Sequence, residues 1–128
     1  MLKAFIAISI LCAATSASAD CWTVGNFKGF SAPQYDNYTY GSDGISSQTF
    51  NVLISNKKAS IVPGDLDYVA ASTNSVVGRS VDNRKLTLET WVIDTETKKA
   101  FFTQTRIGSG SFDGTKSFIG DVLGHCKE

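Results

Sequence analysis

The stretch LTLETWVIDTETKKAFFTQTRI occupies residues 86–107. In its first half Leu86, Leu88, Thr90 and Val92 fall on one face, and Thr87, Glu89, Trp91 and Ile93 fall on the other. That is the period of two imposed by a pleated strand. Six polar residues, DTETKK at 94–99, interrupt the pattern, and Phe101, Phe102 and Ile107 resume it. The β-branched and aromatic content suits a half-buried pleated surface. The stretch predicts a β-hairpin with its turn centred on Glu96 and Thr97. Glu89 and Arg106 are expected to face one another across it as an exposed ion pair.

Working outward, residues 82–85, DNRK, form the polar turn into this hairpin, and residues 76–81 predict a short strand interrupted by Gly78. Residues 47–62 read as a second hairpin. Phe50, Val52 and Ile54 alternate with Asn51, Leu53 and Ser55, the turn is Asn56-Lys57-Lys58, and Ala59, Ile61 and Val62 return. Pro63-Gly64-Asp65 ends it, as a proline and glycine pair does. Residues 66–71 fit either a strand or a helical turn. Residues 20–25, DCWTVG, predict a first strand with Trp22 and Val24 on one face. Residues 26–44 read as a long loop rich in Gly, Ser, Asn and Tyr, with a short strand at 35–40. After Ile107, residues 108–111 form a flexible connector, and residues 118–126 a closing strand bent at Gly120. No window outside the first nineteen residues has a helical period.

The N-terminus predicts a leader. Lys3 supplies a positive start, residues 4–14 are apolar, and Ala17-Ser18-Ala19 is an A-x-A cleavage site. The apolar run falls short of the ~20 residues of a spanning helix. Cleavage after Ala19 is expected to give a periplasmic or secreted chain of bacterial style, with no membrane insertion. Leu11 and Asp20 precede Cys12 and Cys21, where a lipid-modified cysteine needs a small residue. Removal of the leader takes Cys12 and leaves Cys21 and Cys126 as an even pair in an oxidising compartment, which predicts one disulfide. Such a bond brings the first and last strands together. The fold expected is therefore all-β: a small antiparallel barrel, or alternatively a sandwich, of about seven to nine mostly sequential strands over residues 20–128, its termini joined by that disulfide.

Charge and motifs exclude more than they assign. Without Lys3 the chain carries 11 basic against 12 acidic residues, and it has no basic cluster to serve as a footprint for nucleic acid or an anionic membrane. Gly108-Ser109-Gly110 does not lead from a strand into a helix, as a nucleophile elbow must, and makes no phosphate-cradling loop. His125, the only histidine, sits near the chain end and reads as a surface side chain. Asp36, Asp43, Asp65 and Asp67 lack the alternating ligand pattern of a calcium loop and read as turn residues. No cofactor, metal or catalytic residue is predicted.

What remains is binding, with another protein as the expected partner. Two loops that can share one end of a barrel carry the candidates: Phe27, Phe30, Tyr35, Tyr38 and Tyr40 on one, Ser109, Gly110 and Phe112 on the other. Aromatic side chains on such a loop either cover the open end of the sheet as satellite core or form a contact surface, for which Tyr and Phe supply the rigid area that interfaces favour. The alternative expectation is a carrier with an interior cavity lined by Phe50, Val52, Leu88 and Phe102. The exported, disulfide-closed all-β chain also resembles, in outline, the small secreted bacterial barrels that inhibit c-type lysozymes. Ser109-Gly110-Ser111-Phe112 is similar to that family's Ser-Gly-x-x-Tyr loop, with the aromatic one place early and Phe for Tyr. The family's second, lysine-bearing motif is not found. The resemblance implies a loop that enters an enzyme cleft.

Overall fold

In a computed structural model, which describes residues 20–127, the chain forms nine antiparallel strands. The expected leader and its cleavage site lie outside the described residues. The strands are β1 (Asp20–Pro33), β2 (Gly41–Ile45), β3 (Phe50–Ser55), β4 (Lys58–Val62), β5 (Asp67–Ser72), β6 (Ser75–Asp82), β7 (Lys85–Asp94), β8 (Lys99–Ile107) and β9 (Gly114–His125). A single 3₁₀ turn, Gln34–Asp36, follows β1. Strands β3 to β9 follow one another in sequence, and β1 pairs with both β3 and β9, so eight strands close into a barrel. The sandwich alternative falls away. The extra strand, β2, lies against the C-terminal half of β1, on the edge whose N-terminal half is taken by β3.

Three sequence expectations change here. Residues 26–33 are not loop; they continue β1. The break that suggested a loop is a bulge: Asn26 adopts φ 56°, and the register with β9 slips between Gly25 and Lys28. One extra residue reverses the side-chain alternation. Trp22 and Val24 point inward before the bulge, and Phe27 points inward after it. The short strand expected at 35–40 is instead the 3₁₀ turn and the coil after it, and β2 begins at Gly41. Residues 66–71 resolve as β5, and Gly78 does not interrupt β6. Tyr68 stands opposite Gly78, and a Cβ there would lie 2.6 Å from Cε1 of the Tyr68 ring. The glycine is the room in which that ring lies.

The registers stack the interior in layers. One row of directly opposed residues runs Gly29, Phe118, Phe102, Trp91, Val76 and Ala70 across β1, β9, β8, β7, β6 and β5. Phe27 and Phe50 complete this aromatic layer, with ring centroids 4.5 Å apart for Trp91–Phe102, 5.1 Å for Phe50–Trp91 and 5.8 Å for Phe27–Trp91. Toward the disulfide end the filling is mainly aliphatic, with Val24, Val52, Ile54 and Ile93 at 4% exposure or less beside the buried ring of Trp22. Cys21 and Cys126 are bonded there, their Cα atoms 5.0 Å apart.

The face of β7 turned inward is Glu89, Trp91 and Ile93; Leu88 and Val92 lie outside at 42% and 38% exposure. The four-residue turn between Asp94 and Lys99 sets Glu89 opposite Gln104, and Arg106 opposite Thr87, so the expected Glu89–Arg106 pair does not form. Leu88 therefore lines no cavity, and Phe50 and Phe102 pack directly against Trp91.

Opening the disulfide, by Cys21→Ser with Cys126→Ser, frees a loop with a sequence separation of 105. The expected loss is about 4–5 kcal/mol of unfolding free energy in the chain-entropy model, read by urea denaturation. Gly120→Ala drives a Cβ to 2.6 Å from the Gly25 carbonyl and 2.7 Å from the Phe27 ring. It is expected to cost about 1–3 kcal/mol in the same assay. Gly124→Ala, whose Cβ meets nothing within 4 Å, is the control and is expected to be near neutral.

Candidate functional site

At the barrel end away from the disulfide, the 3₁₀ turn docks onto the loop between β8 and β9. The Gln34 N–H donates to the Asp113 carbonyl at 2.7 Å and the Tyr35 N–H to the Ser111 carbonyl at 3.0 Å. The loop is itself closed by the Asp113 carboxylate, which accepts the Ser109 N–H at 2.9 and 3.1 Å. Two sequence-distant loops are thus joined by backbone bonds, and the side chains they present have fixed bases. Tyr35 and Phe112 meet edge to face at 5.8 Å and are 66% and 71% exposed.

Tyr38 adopts φ 57°, directly after Asn37 at φ 50°. A bulky residue in the left-handed region is uncommon, and Tyr38 is held there by its N–H bond to the Pro33 carbonyl at 2.9 Å. Tyr38 and Tyr40 turn back over the outer wall, where they line a shallow cleft with Ala32, Thr105 and Ile107. Phe30 projects from the outer face of β1, opposite Ser117. Of the residues singled out in the sequence, Phe30, Tyr35, Tyr38, Tyr40, Ser109, Gly110 and Phe112 are all exposed. Phe27 is a correction. It is 1% exposed at the centre of the aromatic layer, because the bulge at Asn26 turns it inward.

Beneath this rim lies a feature that alternation alone does not disclose. The row next to the aromatic layer runs Ser31, Lys116, Gln104, Glu89, Gly78 and Tyr68, again directly opposed from strand to strand. It is a polar layer inside a barrel. Glu89 is 9% exposed, and its two carboxylate oxygens accept from Trp91 Nε1 at 3.1 Å and from Gln104 Nε2 at 2.7 Å. A buried carboxylate needs such donors, since leaving one unpaired costs several kcal/mol. The signal in the sequence was Glu89 and Gln104 on inward-facing positions, legible only once the inward face of β7 is known.

Elsewhere Asp121 on β9 accepts from Lys99 Nζ at 2.7 Å and from Asn26 Nδ2 at 3.2 Å. These bonds hold its carboxyl below the usual range and tie the bulge of β1 to β8 and β9. His125 is exposed. No family model, curated protein or solved structure matches the chain.

Tyr68 supplies a pH test of the polar layer. Burial, and then the charge of Glu89, push its phenol from 10.0 up to about 12. A raised pKa means that the folded state favours the neutral phenol. Its contribution is fully present below pH 10.0 and is lost as pH rises toward about 12. Urea midpoints measured across that window are expected to fall for the parent chain and to fall less for Tyr68→Phe. An unchanged alkaline decline in the variant places its cause elsewhere.

Proposed function

We propose that this chain is an exported, non-catalytic binding domain whose partner is another protein, contacted through the aromatic rim. The observation that carries the reading is the group of exposed aromatic side chains, Tyr35, Tyr38, Tyr40 and Phe112, presented on backbone-bonded loops at one end of a filled barrel. A cluster of large, mostly exposed aromatic rings marks a contact surface more than it serves the fold, and rigid aromatic anchors lose little entropy when they are covered. Phe30 extends the same surface down the outer wall. The sequence features of a leader and a disulfide support a periplasmic or extracellular setting. The likeness of residues 109–112 to an inhibitory loop supports a c-type lysozyme as the first defined probe.

Immobilised mature protein is the test, presented to c-type lysozyme and to periplasmic and extracellular extracts. A partner that binds through the rim is expected to lose about tenfold or more in affinity on Phe112→Ala or Tyr38→Ala, equivalent to about 1.4 kcal/mol. The unfolding midpoint is expected to stay within about 0.5 kcal/mol of the parent, as for surface substitutions. A stability loss of several kcal/mol instead makes these rings part of the core. Full affinity in both variants moves the contact surface away from the rim.

A further inference from the structure

We propose that the cleft beneath the Tyr35–Phe112 pair is a carbohydrate subsite that accepts one neutral sugar ring. This goes beyond the protein-binding reading and does not rest on it. The cleft holds about 220 Å³ and opens between the rim and the polar layer. The buried polar side chains among the described residues are Ser31, Glu89, Gln104 and Asp113. Three of them line this cleft, and the fourth, Glu89, is bonded to Gln104. Buried polarity in this protein therefore collects at one place.

Gln104 is the centre of the cleft's polar wall. It is 9% exposed, and Glu89 fixes its orientation. A carboxylate can only accept, so the amide nitrogen must face Glu89 and the carbonyl oxygen must face away. Trp91 Nε1 holds the carboxylate from the other side. Oε1 of Gln104 has no partner among the described residues, and none of their enclosed side-chain nitrogens or oxygens is left unbonded. Oε1 is accordingly open to the cleft. Beside it in the same row stands Lys116, and beyond Lys116 stands the hydroxyl of Ser31, both lining the cleft. Asp113 is occupied by the Ser109 N–H and shapes the wall.

The site thus offers a fixed acceptor, a cationic donor and a hydroxyl under two exposed aromatic rings, with the Asp43 carboxylate also on its wall. A carboxylate ligand has nothing to donate to Gln104. An ammonium or guanidinium can pair with Asp43 but leaves the Lys116 ammonium beside Gln104 without an acceptor. An aliphatic group leaves both polar groups dry and unpaired. A ring with neighbouring hydroxyls can donate to the carbonyl and accept from the ammonium together, while its C–H faces rest on Tyr35 and Phe112. An apolar wall with a few placed polar groups is the usual make-up of a small-molecule site.

The test is a titration of the ¹⁵N-labelled mature protein with maltotriose, cellotriose and tri-N-acetylchitotriose, followed by NMR. Trp91 touches Glu89 and reports on the cleft; Trp22, at the disulfide end, is the internal control. At least one trisaccharide is expected to shift the Gln104 carboxamide and the Trp91 indole N–H with a Kd on the order of 1 mM, leaving the Trp22 indole N–H in place. Phe112→Ala and Lys116→Met are each expected to weaken that binding about tenfold without lowering the unfolding midpoint. The proposal is overturned if no trisaccharide moves the Gln104 and Trp91 signals, or if both variants bind as the parent does. It is equally overturned if an Asn- or Gln-bearing peptide moves those signals while the sugars do not, since the cleft then takes a protein side chain. Tyr38→Ala, outside the cleft, keeps the protein-binding reading separate: loss of a protein partner there with sugar binding intact counts against neither proposal.

Discussion

Closure of the sheet places an unusual demand on β1, which has to pair along its whole length with β9 and, on its other edge, with two different strands in turn. An extended chain of 14 residues cannot wrap a narrow barrel without bending. The bend is supplied by the bulge at Asn26, and Gly120 on β9 supplies the space into which Phe27 then folds. From Phe27 the aromatic layer follows: Phe50, Trp91 and Phe102 all lie within 6.2 Å of its ring centroid. Asp121, bonded to Asn26 and Lys99, fastens the same bend from outside. Bulge, glycine and ring form one device, and the filling of the barrel depends on it.

With the middle of the barrel filled by rings, its two ends are free to differ. The disulfide end is apolar, aliphatic but for Trp22. The other end carries Ser31, Lys116, Gln104 and Glu89 in one row. Burying a carboxylate there is tolerable because both of its oxygens accept from fixed donors, and one of those donors, Trp91, belongs to the aromatic layer itself. The polar layer is thereby registered to the core through a single indole N–H. Such a network, fully satisfied, rigidifies the groups within it.

The fold class was legible in the alternation of residues 86–93 and in the cysteine pair, since both report constraints local to the chain or unique in connectivity. The inward face of β7 was harder to read. By composition Leu86, Leu88, Thr90 and Val92 make the more apolar face, yet it faces solvent, because the rings of Trp91 and Phe102 fill the interior and Glu89 finds donors there. Alternation gives two faces, and only tertiary packing chooses between them. The bulge was illegible for a related reason: one residue in a left-handed conformation inverts the parity, and Gly25-Asn26 reads locally as the start of a loop. At the rim, Tyr35, Tyr38, Tyr40 and Phe112 stood out as aromatics among turn residues, but satellite core and exposed surface read alike in the sequence, because exposure depends on how the 34–36 turn docks on residues 111–113. Gln104 and Glu89 were invisible as a pair, because their meeting depends on a hairpin register set by the length of the 95–98 turn.

Separation of the two ends has a consequence for how such a scaffold tolerates exposed aromatic side chains. The disulfide, the aliphatic filling and the β1–β3 pairing all lie at one end, and the exposed rings lie at the other. The rim loops are held instead by backbone bonds between the 3₁₀ turn and residues 111–113, together with the Asp113 carboxylate. Those bonds make no use of the side chains of Tyr35, Ser111 or Phe112. Side-chain chemistry at the rim is therefore uncoupled from loop geometry, and loop geometry from barrel closure. Exposed aromatic rings can persist on such a surface at little expense to the fold, on bases that the backbone alone fixes.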